Sequence, residues 1–258
     1  MFIHNSSYLK RFVQLILVVA LFNINLTLAS AGTDWDSALD DINGLHGNYT
    51  SLQVALKSDS SKIQMLRKQN NETLKSIHSV IESTDKALLS RLSSEATSAQ
   101  KKHAPLLEQY STLSKQSTAA KKAKDLKTVT LLDLKRNKLK AAVALARAEI
   151  KTKTTALAAA RKQTAAKLKP VKDALVPIAA LKKQITAESK NLTATQKVRA
   201  EADKQYKAAV KQGDAVRAAT ELKSSYEQMK RIHSMQQNIY SWEQKISLAL
   251  RAAESKLP

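Results

Sequence analysis

LKSSYEQMKRIHSMQQNIYSWEQKISLALRAAESKL, residues 222–257, places its apolar residues at alternating steps of three and four. Leu222, Met229, Ile232, Ile239, Ile246, Leu250, Ala253 and Leu257 share one register, with Ser225, Gln236 and Glu243 as its polar members. An α-helix turns once every 3.6 residues, so this alternation holds all of them on one face, whereas a strand would scatter them over both. Tyr226, Met235, Tyr240 and Trp242 widen the stripe and predict packing against more than one helix. Tyr226, Met229, Met235, Ile239, Trp242 and Ile246 are therefore the expected packing or partner face.

The same spacing extends toward the N-terminus. Gly213-Asp214 is a stop-and-start pair, glycine ending one helix and aspartate capping the next. Upstream, Ile178, Leu181, Ile185 and Leu192 carry the stripe. Pro170 and Pro177 stand seven residues apart on one helical face, and each removes a backbone donor. They predict a kink or a helix–helix turn over residues 169–177. Before them, Leu132, Leu139, Val143, Ala146, Ile150, Leu157 and Ala160 continue the seam, with Lys153 and Thr164 as weak points. Pro105 suits the first position of a new helix. From Trp35 to Ala87 a further stripe runs through Ile42, Tyr49, Leu56, Ile63 and Ile77, with Asp59, Asn70, Thr73 and Thr84 as polar members.

Four Gly and four Pro in 258 residues supply too few turns for an all-β protein, and Ala, Lys, Leu, Gln, Arg and Ser favour helix. The predicted fold is all-α, an elongated antiparallel helical bundle or coiled coil of about four or five long helices. Its expected segments are a near-neutral helical stretch at 32–104, a strongly basic stretch at 105–212 and a C-terminal amphipathic helix at 213–258.

Residues 1–31 read as a secretory signal. Lys10 and Arg11 precede the apolar run FVQLILVVALF (12–22), and Ala29-Ser30-Ala31 puts small residues at −3 and −1 before Gly32. The alternative is an uncleaved anchor, but Gln14, Asn23 and Asn25 interrupt the run. The expected location is secreted or attached to the cell envelope. Without cysteine, the chain has no disulfide and no thiolate chemistry.

Charge is divided unevenly. Residues 32–100 hold 7 bases and 9 acids, whereas residues 101–258 hold 34 and 13, and 115–169 alone hold 16 and 3. A field of that size attracts polyanions and repels further copies of the chain. The candidate polyanion-binding residues are Lys121, Lys122, Lys124, Lys135, Arg136, Lys138, Lys140, Arg161, Lys162, Lys167, Lys169 and Lys172. A solvated face that keeps a rod soluble is the plain alternative. Lysine is a point charge suited to diffuse attraction, and the scarcity of aromatics from 115 to 177 removes the stacking platform that single-stranded nucleic acid needs. Acidic wall polymers or an anionic lipid surface are the expected partners. A protein partner or homo-oligomer, as a scaffold or holding chaperone, is the second reading.

Catalytic patterns are missing from the sequence. His46, His78, His103 and His233 are not paired at helical spacing, no H-E-x-x-H or G-x-S-x-G occurs, and a phosphate-cradling glycine loop is excluded. Asp34, Asp36, Asp40 and Asp41, and the pair Glu201 and Asp203, read as solvated helix faces rather than paired catalytic carboxylates. No cofactor, metal or small-molecule substrate is expected. Asn48, Asn71 and Asn191 head sequons that only a eukaryotic secretory pathway would use.

Overall fold

A computed structural model describes residues 33–258, so the signal segment and the Ala31–Gly32 junction lie outside the described residues. The described chain is about 95 % helical, which leaves room only for turns, and it contains no strand. Helix α1 spans Thr33–Ser83, α2 Lys86–Lys122, α3 Leu126–Gln212 and α4 Ala215–Glu254.

Bonds between helices give their order and direction. Along the α2–α3 pair, Glu95 meets Lys153, His103 meets Glu149 and Ser117 meets Asp133, so one number falls as the other rises and the pair is antiparallel. The same trend continues from α1 to α3, where Tyr49 bonds Asp203 and Asn71 bonds Lys182. Helices α1 and α2 therefore lie one after the other along α3, which at 87 residues is roughly 130 Å long. Helix α4 folds back along the later part of α3, with Thr195 near Met235 and Glu188 near Asn238. Running back past α3 places α4 parallel to α1, and Leu56–Gln236, Asp59–Gln237 and Arg67–Glu243 rise together. Three helices thus form a head (α1, α4 and the second half of α3), and two form a thin arm (α2 and the first half of α3).

The core sits in the head. Ile63, Ile77, Val171, Ile178, Ile185, Ile239, Ile246 and Leu250 form one buried cluster, and Leu56, Met229 and Ile232 another. In the arm, apart from Leu168 at its base, the buried positions are small or polar: Ala96, Ala99, Ser117, Val143, Ala146, Ala160 and Thr164. Such residues bury little apolar area, so the arm depends more on polar bonds across its seam than the head does.

One expectation about breaks is corrected and another is narrowed. Pro105 does not begin a helix, because α2 runs through it, and no helix–helix turn interrupts 169–177, because α3 runs through Pro170 and Pro177. All three rings face solvent, where the carbonyl displaced by each can be hydrated. Val171 and Ile178, one residue after Pro170 and Pro177, are buried and hold the helix to the core. The chain turns instead at Thr84-Asp85 and at Ala123-Lys124-Asp125. Asp85 and Lys124 adopt positive φ of 56° and 60°, and Asp125 caps α3 by accepting from the Thr128 amide at 3.0 Å. Gly213, at φ 73°, closes α3, and Asp214 caps α4 through the Arg217 amide at 2.9 Å.

Candidate polyanion-binding surface

Folding concentrates the charge further. Residues 86–169, which make up the arm, hold 20 Lys and Arg against 5 Asp and Glu, while the rest of the described chain holds 21 against 17. Most acids of the arm are drawn into its seam. Asp133 accepts from the Ser117 hydroxyl at 2.7 Å and lies 3.5 and 3.2 Å from Lys121 and Arg136. Glu149 takes His103 Nε2 at 2.7 Å and Lys102 at 3.2 Å, and Glu95 takes Lys153 at 2.8 Å. At the base of the arm Asp85 accepts from Thr164 at 2.8 Å and from Lys167 at 3.1 Å.

These contacts hold the carboxyls below their ordinary values. For Asp133 the chief cause is the Ser117 hydroxyl, for Asp85 the Thr164 hydroxyl and then Lys167, for Glu95 the Lys153 ammonium, and for Glu149 His103 followed by Lys102. A carboxyl whose folded pKa is depressed stabilises above its unfolded value and loses that contribution as pH falls through the folded one. With ordinary values of 3.8 for Asp and 4.5 for Glu, the loss begins near pH 4.5 and continues downward. Acid is therefore expected to open the arm before the head. Limited pepsin digestion between pH 5 and about pH 2.5 should cut first within 86–169, and first cuts in α4 would contradict this.

The twelve sequence-selected cations separate into two groups. Lys121 and Arg136 share Asp133, Lys167 pairs with Asp85, and Lys169 bonds Asp173 at 2.6 Å. Lys122, Lys124, Lys135, Lys138, Lys140, Arg161, Lys162 and Lys172 are exposed and make no ion pair within 4.0 Å among the described residues. With three of its five acids bonded across the seam and unpaired expected cations on the outside, the arm's surface is positive at short range as well as in total. Lys115, Lys127 and Lys151, also exposed, extend that surface and could have been selected from the same composition signal.

A second basic feature lies in the head. A groove of about 720 Å³ separates α1 from α3, lined by Arg67, Asn71, Lys182, Lys190, Thr193 and Lys197 among others, with Glu243 of α4 at its floor. Glu243 accepts from Arg67 Nε at 2.7 Å and from Asn70 Nδ2 at 2.9 Å. Lys182 reaches across the opening to Asn71 Oδ1 at 3.3 Å. Sequence patterning did not reveal this groove, because it depends on how far apart two helices sit.

The chain matches no protein-family model, no curated protein and no solved structure.

Of the expected packing face, Met229, Ile239 and Ile246 are buried, and Tyr226, Met235 and Trp242 are partly buried, Trp242 against the main core cluster and Met235 beside Thr195 of α3. Met229, Ile239 and Ile246 are thus spent within the chain, whereas Tyr226, Met235 and Trp242 keep part of their surface exposed. Another cluster resembles a polar site: Tyr49 donates to Asp203 at 2.9 Å, Ser225 donates to the same carboxylate, and Arg199 Nε lies 3.5 Å from it. Ser225 is wholly buried, so the cluster cross-ties three helices and offers no accessible nucleophile. Among the described residues no group of three or more His, Asp or Glu side chains could hold a metal, and no helix is long and apolar enough to cross a membrane. Asn48, Asn71 and Asn191 are exposed on helices.

Proposed function

We propose that the mature chain is an exported, elongated coiled-coil protein of structural or binding type that attaches to acidic polymers of the cell envelope through its basic arm. The observation that carries this reading is the sorting of charge in the arm: acids bonded in the seam, unpaired lysines and arginines outward. The geometry suits a long, flexible polyanion such as a phosphate-bearing wall polymer. Contact is spread along a rod, the cations are mostly lysine, and none of the expected cations requires planar, bidentate recognition. In this reading the chain is not an enzyme.

A charge-matched comparison tests it. Changing Lys122, Lys135, Lys138, Lys140, Arg161 and Lys162 to Gln in the arm is expected to weaken binding to isolated phosphate-bearing wall polymer at least about tenfold at low salt. Changing six exposed head lysines (Lys57, Lys207, Lys211, Lys223, Lys245 and Lys256) to Gln should have a clearly smaller effect. Equal losses would show that total charge, not the arm, governs binding. Binding by the parent protein that ignores salt would overturn the electrostatic reading itself.

A further inference from the structure

The outward face of the arm carries an apolar stripe of its own. Along α3, positions 127, 131, 134, 138, 141 and 145 repeat at steps of four and three, the spacing of a seam. They hold Lys127, Leu131, Leu134, Lys138, Ala141 and Leu145, on the side of α3 turned away from the buried Val143 and Ala146. Leu131 is 53 % exposed, Leu134 63 % and Leu145 74 %, and Leu126, in the first turn of the helix, is 76 % exposed. Single exposed leucines are ordinary, but these are aligned, and Lys127 and Lys138 stand among them.

Resting on the reading of the arm as a polyanion-binding element, we propose that this stripe docks on an anionic lipid surface, with the leucines entering the headgroup boundary and the lysines meeting lipid phosphates. Two features favour this occupant. Lys127 and Lys138 lie within the stripe and Lys135 beside it, so a second copy would bring like charges together over the whole contact. A bilayer of anionic lipid supplies what both residue types need, an apolar layer a few ångströms below a plane of phosphate, and a lysine stem can lie along the first while its ammonium reaches the second. The stripe from 127 to 145 is roughly 27 Å long, enough for the helix to lie in the interface plane without spanning the membrane.

The experiment uses the mature chain and a triple variant, Leu131→Ser, Leu134→Ser and Leu145→Ser, at positions exposed enough to leave the fold intact, which far-UV circular dichroism confirms. Vesicles of phosphatidylcholine with phosphatidylglycerol are compared with pure phosphatidylcholine vesicles, and inorganic polyphosphate serves as the lipid-free polyanion. The expected result is binding of the parent to anionic vesicles only, with the triple variant weaker by about tenfold or more on vesicles and unchanged on polyphosphate. Equal vesicle binding by parent and variant would overturn lipid docking while leaving the electrostatic reading in place. Failure of the parent to bind either polyphosphate or anionic vesicles would overturn both, and binding of polyphosphate alone would overturn lipid docking only. Concentration-dependent association of the parent, abolished by the leucine changes, would assign the stripe to a second copy and sink the proposal.

Discussion

Glu243→Ala is expected to lower the free energy of unfolding by about 2–3 kcal/mol. The carboxylate is 3 % exposed, within a run of apolar seam residues, and it accepts from two different groups of α1. These groups respond differently to its loss. The Arg67 side chain is 42 % exposed and can turn to water, so its share of the loss is small. Asn70 is 4 % exposed; its amide keeps one bond to the Glu243 backbone carbonyl, but the hydrogen pointing at the carboxylate is left without an acceptor. Alanine also leaves a cavity beneath the groove, which adds to the loss. The double change Glu243→Leu with Asn70→Leu should recover most of the stability, because a packed apolar pair replaces a desolvated polar one. Urea unfolding of the three proteins checks this, and a loss under about 0.5 kcal/mol for Glu243→Ala would make the network a bystander.

The second large effect has the opposite sign. Changing Pro170 and Pro177 together to Ala is expected to raise stability by about 2–4 kcal/mol. Each proline stands in the interior of α3 with its ring outward, so the ring makes little packing that alanine would lose. Each also leaves the carbonyl four residues before it without its helical partner, and alanine restores that bond. Proline's restriction of the unfolded chain opposes the gain but is smaller than the helical penalty. Thermal unfolding followed by circular dichroism should show a higher midpoint. A lower midpoint would mean that the core around Val171 and Ile178 requires a bend that the prolines impose.

Periodicity made the helical class legible from residues 222–257 alone, and it made the polar seam members legible too. Asp59, Asn70, Ser225, Gln236 and Glu243 were placed in register by spacing, and all are buried. Breaks were less legible, because proline and glycine report backbone preference without saying which face meets water. A proline on an exposed face can remain within a helix, as Pro105 does, while the real turn at 123–125 contains neither residue type. Its only local signs are Asp125 and Thr128, a cap pair that could equally have been solvent-facing helix. The parallel course of α1 and α4 was not legible, since a stripe shows that a helix has a partner but not the partner's direction. For the surface, composition located the basic segment but could not divide its cations into those spent on Asp85 and Asp133 and those left outward.

The parallel placement of α4 beside α1 also sets an order of events as the chain is made. The arm closes from its own turn: Ser117 and Asp133 are 16 residues apart, and pairing can extend outward to Asp85 and Lys167, 82 apart. Such a hairpin can zip progressively, each step closing a loop only slightly larger than the last. Helix α1 has no comparable route. Its bonds to α4 join residues 173 to 180 positions apart, so α1 waits for a helix made much later. Until α4 arrives, Leu56, Ile63 and Ile77 lack the helix that covers them in the finished head. The arm is thus the early, locally formed element and the head the late one, and a chain that stops short of α4 would hold a zipped arm beside an N-terminal helix whose apolar stripe remains open to other proteins.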